Sequence, residues 1–187
     1  MPTGNRAPKE SGSSGRGSDP SRTVLVKATP DFALAHFHAV FVVIWRMRTT
    51  EDGAHLVRTE CERFAQTRPD GIGLITIVEA GTPMPPAPAR DAIAQFLRSG
   101  SSYIKASAVL FEGNSFRASA VRSVATGLTL IAKQAFPHKF FVDAGQANAF
   151  ISQTLSHHLR APSVDELSSA LLRVRELIAE SDRERVL

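Results

Sequence analysis

The stretch FHAVFVVIWR, residues 37–46, carries apolar side chains on both alternating faces: Phe37, Ala39, Phe41, Val43 and Trp45 on one, Val40, Val42 and Ile44 on the other. A strand with one face in water alternates apolar with polar residues. This one is therefore expected to be covered on both sides, as interior strands of α/β sheets are. Upstream, TVLVKAT, residues 23–29, reads as another strand, and the intervening ATPDFALAH, residues 28–36, supplies the turn chemistry that would pair the two as a hairpin.

Downstream the period changes from two to 3.6. Thr49 and Thr50 offer an N-cap, and residues 51–68 put Ala54, Val57, Cys61, Phe64 and Ala65 on one helical stripe, with Arg58, Glu60, Glu62 and Arg63 largely outside it. Cys61 thus reads as a core thiol. Pro69, Asp70 and Gly71 then turn the chain into IGLITIVEA, residues 72–80, a second strand apolar on both faces. Gly71 and Gly73 stand at the start of this strand, whereas the glycines of a dinucleotide-binding turn follow a strand and open a helix.

GTPMPPAPAR, residues 81–90, forms a stiff proline-rich connection to a short helix carrying Ile93, Phe96 and Leu97, with Gly100 at its end. Residues 103–112 read as a strand, residues 115–134 as a helix with Phe116, Ala120, Val124, Leu128 and Ile131 on its core face, and residues 139–142 as a short strand. Asp143 or a residue just after it caps a helix bearing Ala147, Phe150, Ile151 and Leu155. After Pro162, Ser163 and Glu166 make an S-x-x-E capping box for a last helix.

The order implies an α/β fold: a mixed, mostly parallel central sheet of about five strands flanked by helices, with an additional C-terminal helix. Three segments follow. Residues 1–22, rich in Gly, Ser, Pro and charge, read as a disordered tail; residues 23–160 form the α/β domain; residues 161–187 form a C-terminal amphipathic helix.

That order, together with FFVDAGQANAFI at residues 140–151, where a strand ending in Val142 and Asp143 leads into a helix with Ala147, Ala149 and Ile151, resembles the STAS domain. STAS domains include the bacterial anti-sigma-factor antagonists, of the SpoIIAA-like kind, and relatives described as STAS/SEC14-like. The resemblance covers residues 23–156. It implies a non-catalytic regulatory domain in signal transduction that docks on another protein, such as a regulatory kinase or a sigma-factor regulator. The family's phosphorylated serine lies in a turn after the third strand; the corresponding stretch here, residues 81–90, contains no serine and offers only Thr82 as a phospho-acceptor.

Composition narrows the function classes. At 187 residues and 43% apolar content, one globular core is expected. The net charge is +4, of which +2 comes from four basic and two acidic residues among the first 22. Neither a Lys/Arg block nor basic residues interleaved with exposed aromatics occur, so nucleic acid is disfavoured as a partner. A single cysteine excludes a disulfide framework, and no Cys/His cluster has metal-ligand spacing, so neither a metal nor another cofactor is expected. The longest apolar run, residues 39–45, is far too short to span a bilayer, and the N-terminus lacks the apolar centre of a secretory signal. A soluble, cytoplasmic protein is the expectation.

Three groups of residues carry candidate functions. Gly113, Asn114 and Ser115 stand between a strand and a helix, where backbone N–H groups attract anions, and Arg117 adds charge. They make a small anionic-ligand or nucleotide site the alternative to a protein-binding role, although Asn or Ser there also serves as a plain helix cap. Val164, Leu167, Leu171, Val174 and Ile178 repeat at heptad-like steps in the last helix and could form a partner or homodimer surface, or pack back on the domain. Glu79 and Glu112 each end a strand at one edge of the sheet, but no nucleophile accompanies them, so no catalytic residue is assigned. His36 with His38, and His157 with His158, lack a third metal ligand nearby and read as edge or surface histidines.

Overall fold

The protein is described by a computed structural model covering residues 22–113 and 134–186. Six strands form one sheet in chain order: β1 (Val24–Ala28), β2 (Phe32–Phe37), β3 (Val40–Trp45), β4 (Ile72–Val78), β5 (Ile104–Phe111) and β6 (His138–Phe141). The pairs β1–β2 and β2–β3 are antiparallel; β3–β4, β4–β5 and β5–β6 are parallel. The sheet is therefore mixed and mostly parallel, with one strand more than expected.

The extra strand is β2, in the segment read as a turn. Only Pro30 and Asp31 turn the chain, and the Thr29 hydroxyl accepts from the Phe32 N–H at 3.0 Å to close the bend. Phe32, Ala33, Leu34 and Ala35 that follow are buried, at 6% exposure or less. Alanine has weak strand propensity, but burial between two layers overrides that preference. A second, two-residue turn at His38 and Ala39 then joins β2 to β3, with His38 at φ 52° and Phe37 opposite Val40. It uses neither Gly nor Asn, the usual signals of such a turn.

Because the parallel strands follow one another in chain order, right-handed crossovers put their connecting helices on one face. On that face lie α1 (Glu51–Ala65) and α2 (Ala87–Ser99), packed with Phe32, Leu34, Phe41, Val43, Leu74 and Ile104. Thr50 caps α1 by accepting from the Gly53 N–H at 3.1 Å, as expected, and the helix ends three residues before Arg68. Cys61 is fully buried there, and burial pushes its thiol well above the usual range, as a core thiol requires.

The opposite face carries α3 (Ala144–Leu155) and α4 (Val164–Val186). Asp143 caps α3 through the Gln146 N–H at 2.8 Å. Ser163 and Glu166 form the expected capping box, at 3.2 and 2.7 Å. Small residues line this face: Ala33, Ala35, Ala106 and Ala108 pack with Ile151, Leu155, Leu167 and Val174 in one core. Gly73 completes it, since a Cβ there would meet Leu155 Cδ1 at 2.8 Å. The helix expected at residues 115–134 lies outside the described residues, apart from Gln134, which is in no helix.

Candidate functional site

The three central parallel strands stop in register. Trp45 pairs with Val78 and Val78 with Phe111, and the ladder runs one residue further through Glu79 N–H to Trp45 O and Glu112 N–H to Val78 O, both at 2.9 Å. The next residue on each strand is thus charged, and Arg46, Glu79 and Glu112 stand side by side at the edge where α/β folds commonly hold ligands.

Helix α4 reaches over that edge. Arg175 donates to Glu79 through Nη1, and through Nη2 to both carboxylate oxygens of Glu112 at 2.9 Å. About two turns further along, Asp182 accepts from Arg46 Nη2 at 2.6 Å and from Nη1 at 3.3 Å, while Nη1 also donates to Thr29 O at 2.9 Å. Arg46 Nε lies 4.0 Å from Glu79, linking the two clusters. The Arg46 guanidinium holds the Asp182 carboxyl below the usual carboxylate range. With Arg185 Nη2 also donating to Asp182 at 3.0 Å, three cations and three anions form one network, and the carboxylate pair at the strand ends is engaged by a guanidinium. Among the described residues this edge ties helix α4 down to the strand ends.

The residues singled out in the sequence are distributed as follows. Gly113, directly after Glu112, has φ 93°, a conformation suited to glycine, and a Cβ there would meet Ala80 Cβ at 2.8 Å. Asn114, Ser115 and Arg117 lie outside the described residues. Thr82, the expected phospho-acceptor, is buried, and its hydroxyl donates to Arg46 O at 2.6 Å. Of the two destinations open to the apolar seam of the last helix, the described residues take the second, packing back on the domain. Leu167, Val174 and Ile178 are buried in the core with the sheet, Val164 and Leu171 are half-buried, and only Leu172, beside the seam, is well exposed at 68%. The helix spends its apolar stripe on its own domain because that stripe fits the alanine-lined face of β2 and its neighbours.

His36 and His38 do not form a pair: His36 stacks on Phe64 at 4.6 Å, while His38 sits in the two-residue turn. Burial, with the nearby Arg68 charge, lowers the His36 pKa. Among the described residues no group of three or more His, Cys, Asp or Glu is arranged to hold a metal. No described helix is long and apolar enough to cross a membrane.

Sequence reasoning missed Arg46, Arg175 and Asp182. Arg175 bridges to residues 96 and 63 positions away, so no local pattern could announce it. It also missed the exposed methionines. Met47 is 64% and Met84 54% exposed, in two loops that the bond from Thr82 to Arg46 ties together at the same edge.

Fold and edge together define a layered α/β domain with its terminal helix clamped across the strand ends. No protein-family model, curated protein or solved structure matches the chain.

Proposed function

We propose that this chain is a non-catalytic regulatory domain of STAS-like type that acts by binding a protein partner, without the phosphoserine switch of that family. The observation that carries this reading is the pair Met47 and Met84, exposed at 64% and 54% on loops pinned to one another at the strand-end edge. Methionine is flexible and polarizable, and apolar side chains held out in water at one place suit a docking surface. Engagement of Glu79 and Glu112 by Arg175 supports the non-catalytic part of the reading. The partner class is a sigma-factor regulator or its kinase, and a cytoplasmic setting accords with the single, buried, unpaired thiol of Cys61.

The test is capture from native lysate with the wild-type chain and with a Met47→Asp/Met84→Asp double variant, alongside melting curves. Both side chains are exposed, so the melting temperature should stay unchanged while a partner retained by the wild type is lost. Identical captured proteins from both chains would overturn the reading; light scattering that shows a dimer broken by the substitutions would make the partner a second copy.

A further inference from the structure

Between the sheet and the pair α1 and α2 lies a cavity of about 140 Å³. Its walls are apolar: Leu74 and Val109 on the sheet, Ile93 and Phe96 from α2, and Trp45 with Phe111 toward the strand ends. The loop Pro83, Met84 and Pro85 closes that end. Cavities of about 150 Å³ with such walls accept a guest the size of benzene. From Ser107 to Phe111 the floor runs four residues along β5, about 13 Å at strand spacing, so the space is longer than one ring.

Five polar residues interrupt this lining: Thr49, Thr76, Arg90, Ser107 and His138. Arg90, the charged one, donates through Nη1 to Pro85 O at 2.9 Å, and the pair Ser107 and His138 lies on the sheet floor. Ser107 and His138 are register partners across β5 and β6 and both line the cavity. Ser107 is fully buried and its Oγ has no hydrogen-bonding partner among the described residues; the same holds for the buried Nδ1 of His138. Native proteins leave few such groups unsatisfied, because a buried hydroxyl without a partner costs free energy. The His138 ring is held edge-on against Phe140, with centroids 5.0 Å apart at 88°, so its nitrogen has a defined direction. Burial lowers its pKa, which keeps the imidazole neutral near pH 7. A serine hydroxyl both donates and accepts, and a neutral imidazole has one of each. The pair thus complements an alcohol, and nothing in it balances a charge.

We propose that this cavity is a binding site for a small neutral alcohol, phenolic or aliphatic, whose apolar body fills the space along β5 and whose hydroxyl bonds to Ser107 Oγ and His138 Nδ1. The site is separate from the docking reading and does not rest on it. The full chain is titrated with 4-propylphenol and with propylbenzene, which has the same body without the hydroxyl, following the indole N–H resonance of Trp45, the chain's one tryptophan. Saturable shifts are expected with both, tighter for the phenol. Ser107→Ala should weaken 4-propylphenol about five- to tenfold, the worth of one hydrogen bond, and leave propylbenzene unchanged. Val109→Phe should fill the space and abolish both shifts while the melting transition persists. Absence of any shift overturns the site; equal affinities for the two probes, or a Ser107→Ala variant that treats them alike, overturns the role of the polar pair.

Discussion

The two faces of the sheet solve the same packing problem in opposite ways. Against α3 and α4 the strands present four alanines and Gly73 among larger residues such as Val42, Ile44, Ile75 and Ile77, and the helices come close enough that one added methyl at Gly73 would collide with Leu155. Against α1 and α2 the strands present larger side chains, Phe41, Trp45 and Leu74 among them, and yet leave a cavity with a buried serine and histidine in its floor. Alanines and a glycine interspersed on one face thus let its helices approach closely, whereas the face without them keeps a cavity. The closed face is a structural contact; the propped face has space for a guest.

Breaking the closed face should have the largest effect. Leu155 is fully buried beneath Gly73, and Leu155→Ala should lose about 2–5 kcal/mol in urea unfolding, since surrounding alanines cannot expand into the space. A loss under about 1 kcal/mol would mean that this face is no better filled than the other. Next comes the clamp at the edge of that face. Arg175→Ala leaves Glu79 and Glu112 without their shared guanidinium and should cost about 1–2 kcal/mol, less in high salt because these side chains are partly exposed. An unfolding midpoint indifferent to both the substitution and the salt would show α4 held by its apolar stripe alone.

The propped face should announce itself through pH. His36 and His138, both on that side, have pKa values lowered from the ordinary 6.5, mainly by burial. The unfolded chain therefore binds protons first as pH falls. The contribution is intact above about 6.5 and is lost progressively as pH drops through the folded values. Urea midpoints should decline between pH 7 and pH 5, a window above that in which Asp182 titrates, and His138→Gln should flatten part of the decline. A midpoint constant across that range would contradict the burial of both rings. The smallest effect sharpens the same contrast. Ser107→Ala removes a hydroxyl that has no partner among the described residues, so it should leave stability unchanged or raise it by less than about 1 kcal/mol, whereas truncation on the other face is costly. A marked loss would mean that the hydroxyl is satisfied after all.

Much of the fold was legible because its signals are local. The two-sided apolar runs of β3 and β4, the stripe of α1 and the caps at Thr50, Asp143 and Ser163 each lie within a few residues of the feature they define. β2 was missed for a local reason too: FALAHF follows Pro and Asp and is rich in alanine, so it resembles a turn until one sees what buries it. The seam of α4 was read correctly as apolar, but its destination was not in the pattern. Periodicity states that a stripe will be covered, not by what.

The order of elements, the α/β class, the capped helices and the inert core thiol were determined by the sequence itself, since propensity, periodicity and capping act over less than two turns of helix or one strand. Tertiary structure alone decided that α4 closes on its own sheet, that Arg175 engages the strand-end carboxylates, that Thr82 is hidden, and that Ser107 meets His138 across two strands. Those contacts join residues tens of positions apart, and their energy exists only once the sheet has brought the backbones into register.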